Sequence, residues 1–472
     1  MLVAERDVRW LLGVTACVVL VQAVVVYDSF YLATDDWLLV TFGRSPVDVA
    51  RLFERQTAGT PAVRPLSLLL ARVEHLVAGD AATPRMLLNT LWGATAAWML
   101  FLFLDGLFGP SRRRAAAIAS AAFLVWPLQG EALGWYHSGQ TMLPVAALSL
   151  AALAAFARGW PTFVGLTLLL AALLTRENAV AVGPVVLAIA TWRQRSLQAA
   201  LRSSWPWLLV LGVYVGVRAW QVLSAVTTDV TAQLPIGQSL VSTIGYVAFH
   251  LFVPVHPGIP WAWGWFGIAL TASLAVVWLG RHELGPAVAW VVVFCLPFVW
   301  LYDTGDPVFD VAHASYERRW YHLTLPAAAC AWLVATVVSR HRQWLTWALL
   351  VGLLALQLVN ARWYVGLGQE LRVTFSDVEA LVATRRPIVL VASSETILSE
   401  LVEHQMLDIP RVFAGHASPV FRVKAEGDGY VQARLDAFGY PHWHPLPETF
   451  VPPRDVLVVE WREAERRLRW VP

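Results

Sequence analysis

Lysine is all but missing from this chain: of its 35 basic residues only Lys424 is a lysine, which with the abundant alanine suggests a GC-rich bacterial genome. Charge of either sign is scarce, 14% of 472 residues against about 25% in a soluble domain. The formal net charge is +2 and no basic run is long enough to track a phosphate backbone, which excludes nucleic acid as a partner. Cysteine is nearly absent as well. Cys17, Cys295 and Cys330 all fall inside apolar segments, so a disulfide framework or a zinc cluster is excluded. The chain has neither a phosphate-binding P-loop nor a dinucleotide glycine fingerprint, and it shows no internal repeat, so nothing indicates a nucleotide-driven pump.

What fills the chain is hydrocarbon: 57% of residues are hydrophobic and the mean hydropathy is +0.56. Apolar segments run over Trp10 to Tyr27, Met86 to Leu104, Ala115 to Leu128, Thr141 to Ala157, Thr162 to Leu174 and Asn178 to Trp192. They continue over Trp205 to Trp220, Trp261 to Leu279, Pro286 to Tyr302, Tyr321 to Val338 and Trp344 to Asn360. The fold class expected is an α-helical polytopic membrane protein with about eleven transmembrane helices, several shorter than the usual ~20 residues. The first segment lacks a small-residue cleavage site and reads as a retained span.

Arginine placement sets the orientation. Arg6 and Arg9, Arg112 to Arg114, Arg158, Arg193 and Arg195, Arg281, and Arg340 and Arg342 fall on one side if Thr243 to Val253 does not cross. That run is then an interfacial or re-entrant helix, the N-terminus is cytoplasmic and the tail lies outside a bacterial inner membrane. The outer face receives a long first loop, Asp28 to Arg85, with amphipathic candidates at Val47 to Arg55 and Leu66 to Val77. Tryptophans at span ends, among them Trp126, Trp135, Trp261 and Trp263, suit an aromatic belt. The transmembrane domain is expected over residues 1–360. From Ala361 the composition turns soluble, and residues 361–472 read as a small α/β domain outside the membrane. RRPIVLVASS and DVLVVEW are its buried strands, with a helix over SETILSELVEHQ.

The outer face also holds the residues that could do chemistry. Asp35 and Asp36 follow the first span, where ionised carboxylates are costly unless they bind something. On a helix they point about 100° apart and suit two jobs, one accepting a proton and the other holding a metal or a hydroxyl. They also suit a plain helix start capped by Thr34. Glu131 sits in WPLQGEALGWYHSGQ with Trp135, His137 and Gln140, a mixture of rings and hydrogen-bonding groups that a sugar requires and that an interfacial loop also uses. Arg176 and Glu177 close a span pair. Arg64, Arg318 and Arg319 are outer arginines whose forks suit a phosphate, with Glu317 or lipid headgroups as the ordinary partners. Trp443, flanked by His442 and His444, reads as structural rather than as a glycan contact. Polar groups thus collect on one face while the span centres carry almost no charge, the pattern of a surface site for a lipid-phosphate donor.

In this order, TDDW, RPL, the Pro127, Glu131, Ala132 and Trp135 spacing, RENAVAVGP and YERRWYHLTLP resemble the GT-C superfamily of membrane glycosyltransferases, in the protein O-mannosyltransferase and TMTC-like group. The resemblance spans Trp10 to Asn360. It implies transfer of a sugar from a polyprenyl-phosphate donor to a glycan, lipid or protein acceptor, with inversion and a loop carboxylate as base. Asp35 is then the base; Asp36 or Glu131 orients the acceptor or holds a divalent metal; Arg318 or Arg319, with Arg64, steadies the leaving phosphate; Trp135, His137, Gln140, Arg176 and Glu177 line the substrate. A flippase for a lipid-linked saccharide is the alternative, against which stand the missing inverted repeat and the uncharged span centres.

Overall fold

The computed structural model describes residues 2–27, 64–79, 81–224, 250–251, 254, 262–295, 323–383, 386–392, 420–423, 430–435, 441–447, 449–451, 455–462 and 467–470. The helices, in chain order, are α1 (Leu2–Tyr27), α2 (Pro65–Ala78), α3 (Ala82–Phe108), α4 (Arg113–Leu124), α5 (Gln129–Gly134), α6 (Tyr136–Arg158) and α7 (Thr162–Thr175). They continue as α8 (Val182–Gln194), α9 (Leu197–Ser224), α10 (Ala262–Leu279), α11 (Leu284–Cys295), α12 (Thr324–Val338) and α13 (Gln343–Ala383). The described part of each apolar segment expected to be a span overlaps one of these helices. Among the described residues five helices are long and apolar enough to cross a membrane: Glu5–Val25, Ala82–Phe108, Gly139–Arg158, Leu197–Trp220 and Gln343–Gly366. α7 and α12 are shorter apolar helices. The chain is therefore built as a helical membrane protein. Most of Thr243 to Val253 lies outside the described residues.

The chain divides into two compact units, Met1–Asp28 with Pro84–Trp363, and Ser29–Thr83 with Tyr364–Pro472. The first is an all-helical body whose core is built largely of alanine: Ala115, Ala116, Ala117, Ala119, Ala121 and Ala122 of α4 are all buried. Small side chains let helix backbones approach closely where lipid offers no hydrophobic drive between them, so dispersion and hydrogen bonds carry the packing. Amides from distant helices reinforce it. Gln22 of α1 donates to Gln357 of α13 at 2.8 Å, and Gln357 donates to the carbonyls of Leu124 at 2.9 Å and Trp126 at 3.3 Å.

One end of this body is tied by ions. Asp105, near the end of α3, accepts from Arg113 Nε at 2.6 Å and from Arg158 Nη2 at 2.5 Å. The hydrogen bond to Asp105 raises the Arg113 guanidinium above its ordinary value against an opposing, smaller effect of burial. Arg193 donates to the Gly106 carbonyl at 3.0 Å and the Ala157 carbonyl at 2.8 Å, which satisfies helix-end acceptors of α3 and α6. Arg112 pairs with Glu283. Phe108 stacks on Trp332 with ring centroids 4.5 Å apart. Four guanidiniums thus fasten the ends of α3, α4, α6 and α8 and the turn before α11.

The second unit holds α2 and a six-stranded sheet. The strands are β1 (Ile388–Ala392), β2 (Val420–Val423), β3 (Tyr430–Leu435), β4 (Pro441–Pro445), β5 (Leu457–Arg462) and β6 (Arg467–Trp470), in the order β4-β3-β2-β1-β5-β6. β1 lies parallel to both neighbours, Val389 opposite Phe421 and opposite Val458. The outer strands are antiparallel additions. Both strands expected from the sequence, β1 and β5, are present and pair with each other; the helix expected over SETILSELVEHQ lies outside the described residues. α2 coincides with the second amphipathic candidate: Ser67, Ala71 and Glu74 are buried on one face while Leu69, Val73, Leu76 and Val77 are exposed. The first candidate lies outside the described residues.

Candidate functional site

The opposite end of the helical body is polar and dry. Arg85 and Asn89 sit in the first turns of α3, about 30 and 24 Å along the helix from Asp105 at 1.5 Å per residue. The amide of Asn89 donates to the Tyr136 carbonyl at 3.0 Å and to the Ala132 carbonyl at 3.4 Å, gripping α5 and the start of α6 together. Arg85 Nη1 donates to the Tyr136 hydroxyl at 3.0 Å, and its guanidinium lies 5.4 Å from that ring's centroid. Between the two helices Trp135 is extended, at φ −131° and ψ 114°, which turns the chain so that α5 and α6 present their ends to α3.

This close approach depends on Gly139. A Cβ there would lie 2.1 Å from Asn89 Nδ2 and 2.5 Å from the Ala132 carbonyl oxygen. Gly139→Ala is expected to destabilise the body by about 1–3 kcal/mol, seen as a lower apparent Tm of the detergent-solubilised protein. An unchanged Tm would show that the Asn89 clamp yields without cost. Eight residues into α6, Pro144 has no N–H to offer the Gln140 carbonyl, so the helix ladder is interrupted next to the same cluster.

α5 carries Glu131, whose exposure is 0%. A second amide clamp holds it from behind: Asn360 of α13 donates to the Pro127 carbonyl at 2.9 Å and to the Pro254 carbonyl at 2.8 Å. Gly130 lets α5 lie against α13, because a Cβ there would come within 2.5 Å of Asn360 Cβ and 2.7 Å of the Gln357 carbonyl oxygen. The third wall is the link from α7 to α8. Arg176 is extended, at φ −162° and ψ 148°, and Glu177–Ala181 form a single 3-10 turn. Asn178 of that turn donates to Met142 Sδ of α6 at 3.6 Å.

Of the residues expected at the site, the structure brings Glu131, Trp135, Gln140, Arg176 and Glu177 to one end of one unit. Glu131, Trp135, Gln140 and Arg176 are buried, and Glu177 is half-buried. Each of these five is engaged by neighbours. His137 is the second residue of α6, and its side chain lies outside the description. Arg64 belongs to the other unit, where it precedes Pro65 at the start of α2. Asp35, Asp36, Arg318 and Arg319 lie outside the described residues, as does Glu317. Sequence reading missed Arg85 and Asn89. Arg85 was placed as the last residue of a loop, yet it is inside α3 at 0% exposure. The signal available was an amide four residues after it, in an otherwise apolar run.

A carboxylate is among the oxygen ligands that a hard divalent cation takes. Among the described residues no three His, Cys, Asp or Glu side chains gather into a metal-binding group.

No family model matches the chain, and no curated protein matches it. Solved chains of the Archaeoglobus fulgidus oligosaccharyltransferase do superpose on it. One, a complex with Zn and sulfate, shows 10% identity over 92% of this chain and 73% of its own, with a TM-score of 0.40. Another, tethered through a disulfide bond to an acceptor peptide containing the NVT sequon, shows 11% identity over 93% of this chain and 74% of its own, with a TM-score of 0.42. Likeness of that size by itself supports neither a fold nor an activity.

Proposed function

We propose that the chain is a GT-C-type membrane glycosyltransferase, moving a sugar from a polyprenyl-phosphate donor to an acceptor hydroxyl at the outer face of a bacterial inner membrane. The observation that carries this reading is Glu131. A carboxylate at 0% exposure in an apolar helical body costs too much to keep without a task or a strong partner, and it stands within the Pro127, Glu131, Ala132 and Trp135 spacing shared with that superfamily.

On this reading Asp35 takes the proton of the acceptor hydroxyl as that oxygen attacks the anomeric carbon and the bond to the lipid phosphate breaks, with inversion. Arg318 or Arg319, with Arg64, receives the charge that develops on the leaving phosphate. Trp135, His137, Gln140, Arg176 and Glu177 bind the substrate. Asp36 with Glu131 would hold a divalent cation, which would polarise the donor phosphate. About eleven helices would cross the membrane, and the tail would lie outside.

The test is transfer of radiolabelled sugar in membranes from a panel of polyprenyl-phosphate sugars. Wild-type protein is expected to consume at least one donor and yield the free lipid phosphate. If no donor is consumed while labelled lipid-linked saccharide crosses sealed vesicles containing the protein, the chain is a flippase instead.

A further inference from the structure

The ion-tied end of the helical body carries more positive charge than its own architecture uses. Most of its internal acceptors are already taken: Asp105 by Arg113 and Arg158, Glu283 by Arg112, Glu5 by Arg9, and the helix-end carbonyls of Gly106 and Ala157 by Arg193; Asp7 adds one carboxylate near Arg113. A second set of arginines remains at the same end, namely Arg114, Arg195, Arg281, Arg340 and Arg342, all exposed. Among the described residues none of these five forms an ion pair. Among the described residues their one aromatic partner is Trp278, whose ring centroid lies 5.3 Å from the Arg281 guanidinium.

These arginines share their surface with indoles that water would not tolerate gathered together. Trp192 is 60% exposed, Trp278 69% and Trp344 60%, each within three or four residues of one of the unpaired arginines. Packing places them at one end rather than around the molecule. Trp192 meets Phe108 edge-on at 6.3 Å, and the Cβ position of Gly280, beside Arg281, lies 3.6 Å from Val337 at the end of α12. Trp347, one turn after Trp344, meets Trp10 of α1 at 5.6 Å. An indole wants the boundary between hydrocarbon and headgroup, and a guanidinium one step further out wants a phosphate in fork geometry.

We infer that this end of the helical body binds the phosphates of anionic phospholipid headgroups, with Arg195, Arg281, Arg340 and Arg342 as ligands and Trp192, Trp278 and Trp344 seated at the acyl boundary. The inference stands apart from the proposed transfer chemistry, which uses the other end of the body. It differs from a general bias of basic residues because the arginines divide into a set consumed by helix ends and carboxylates and a set that is not. A surface arginine near an anionic leaflet is worth about 1 kcal/mol, or roughly fivefold in affinity.

The test uses the purified full chain in mild detergent, titrated with phosphatidylglycerol and with phosphatidylcholine of the same acyl chains and followed by native mass spectrometry. Wild type is expected to retain phosphatidylglycerol at least about tenfold more tightly than phosphatidylcholine, with the preference shrinking as salt rises. The triple variant Arg195→Gln, Arg340→Gln, Arg342→Gln should lose the preference, while Arg→Lys at the same three positions should keep most of it. Equal retention of the two lipids by wild type overturns the proposal, as does a glutamine variant that keeps the preference. Displacement of the lipid by excess inorganic phosphate would assign the site to free phosphate and likewise overturn it. Should the glutamine variant fail to fold, the salt dependence and lipid preference of wild type decide the matter alone.

Discussion

Asp35→Asn is expected to lower sugar transfer by about 10²–10⁴-fold, the range that a positioned general base contributes, while membrane insertion and the folded helical body stay as in wild type. The substitution keeps the size of the side chain and its capacity to hydrogen-bond, and removes only the ability to take a proton. A loss confined to turnover therefore speaks for proton transfer rather than for structure. Asp36→Asn provides the comparison. On the proposed reading Asp36 orients the acceptor or shares a divalent cation with Glu131, so its loss should respond to added divalent metal, whereas the loss at Asp35 should not. Glu131→Gln should follow Asp36, because its enclosed position permits holding and orienting but leaves no open path for the acceptor's proton. Undiminished turnover in Asp35→Asn would remove that residue from the role of base and leave Asp36 as the next carboxylate to examine.

Asp105→Ala is expected to be the most damaging single change among the described ion pairs. The carboxylate is enclosed and serves two guanidiniums, Arg113 with side-chain exposure of 22% and Arg158 with 28%. Removing it strands both charges at the junction of three helices. Breaking a buried pair costs about 3–5 kcal/mol; partial exposure of both arginines reduces this to about 2–3 kcal/mol, since solvent can reach the orphaned charges. The measurement is the apparent Tm in detergent, read as irreversible loss of fold at fixed scan rate. Because the three residues form one unit, Asp105→Ala combined with Arg158→Gln should cost less than the sum of the two. Strict additivity would show that the cluster is not acting as one.

Much of the helical body is visible in the sequence because its signal is long. A run of apolar residues of span length has few alternatives to a helix. The ends were less visible. α13 continues to Ala383, well past Ala361, where the composition turns polar, because no proline intervenes before Pro387 and polar residues do not break a helix. In the sheet, β1 and β5 announced themselves as the apolar central pair. β4 and β6 did not, since edge strands tolerate the prolines and charges of PHWHP and RLRW. β4 sets Trp443 opposite Ala433 and His444 opposite Gln432. At the site, Glu131 and Arg176 were legible from residue type and motif. Arg85, Asn89 and Asn360 were not, because their importance lies in which backbone carbonyl each reaches, and that partner is set by packing rather than by neighbours in sequence.

The amides of Gln357 and Asn360 reach back to carbonyls more than two hundred residues earlier in the chain, across separations of 231 and 233 positions. A ribosome has therefore threaded nearly all of the helical body before the segment around Glu131 can acquire its supports. Until α13 enters the bilayer, the turn from Leu124 to Gly130 lacks the donors that fix it, and α5 lacks the surface on which Gly130 rests. Closing so long a loop is slow relative to forming any single helix. A chain halted before Gln357 would then be a membrane insertion with an unformed centre, so that the proposed chemistry at this end would be withheld until synthesis of the body is complete.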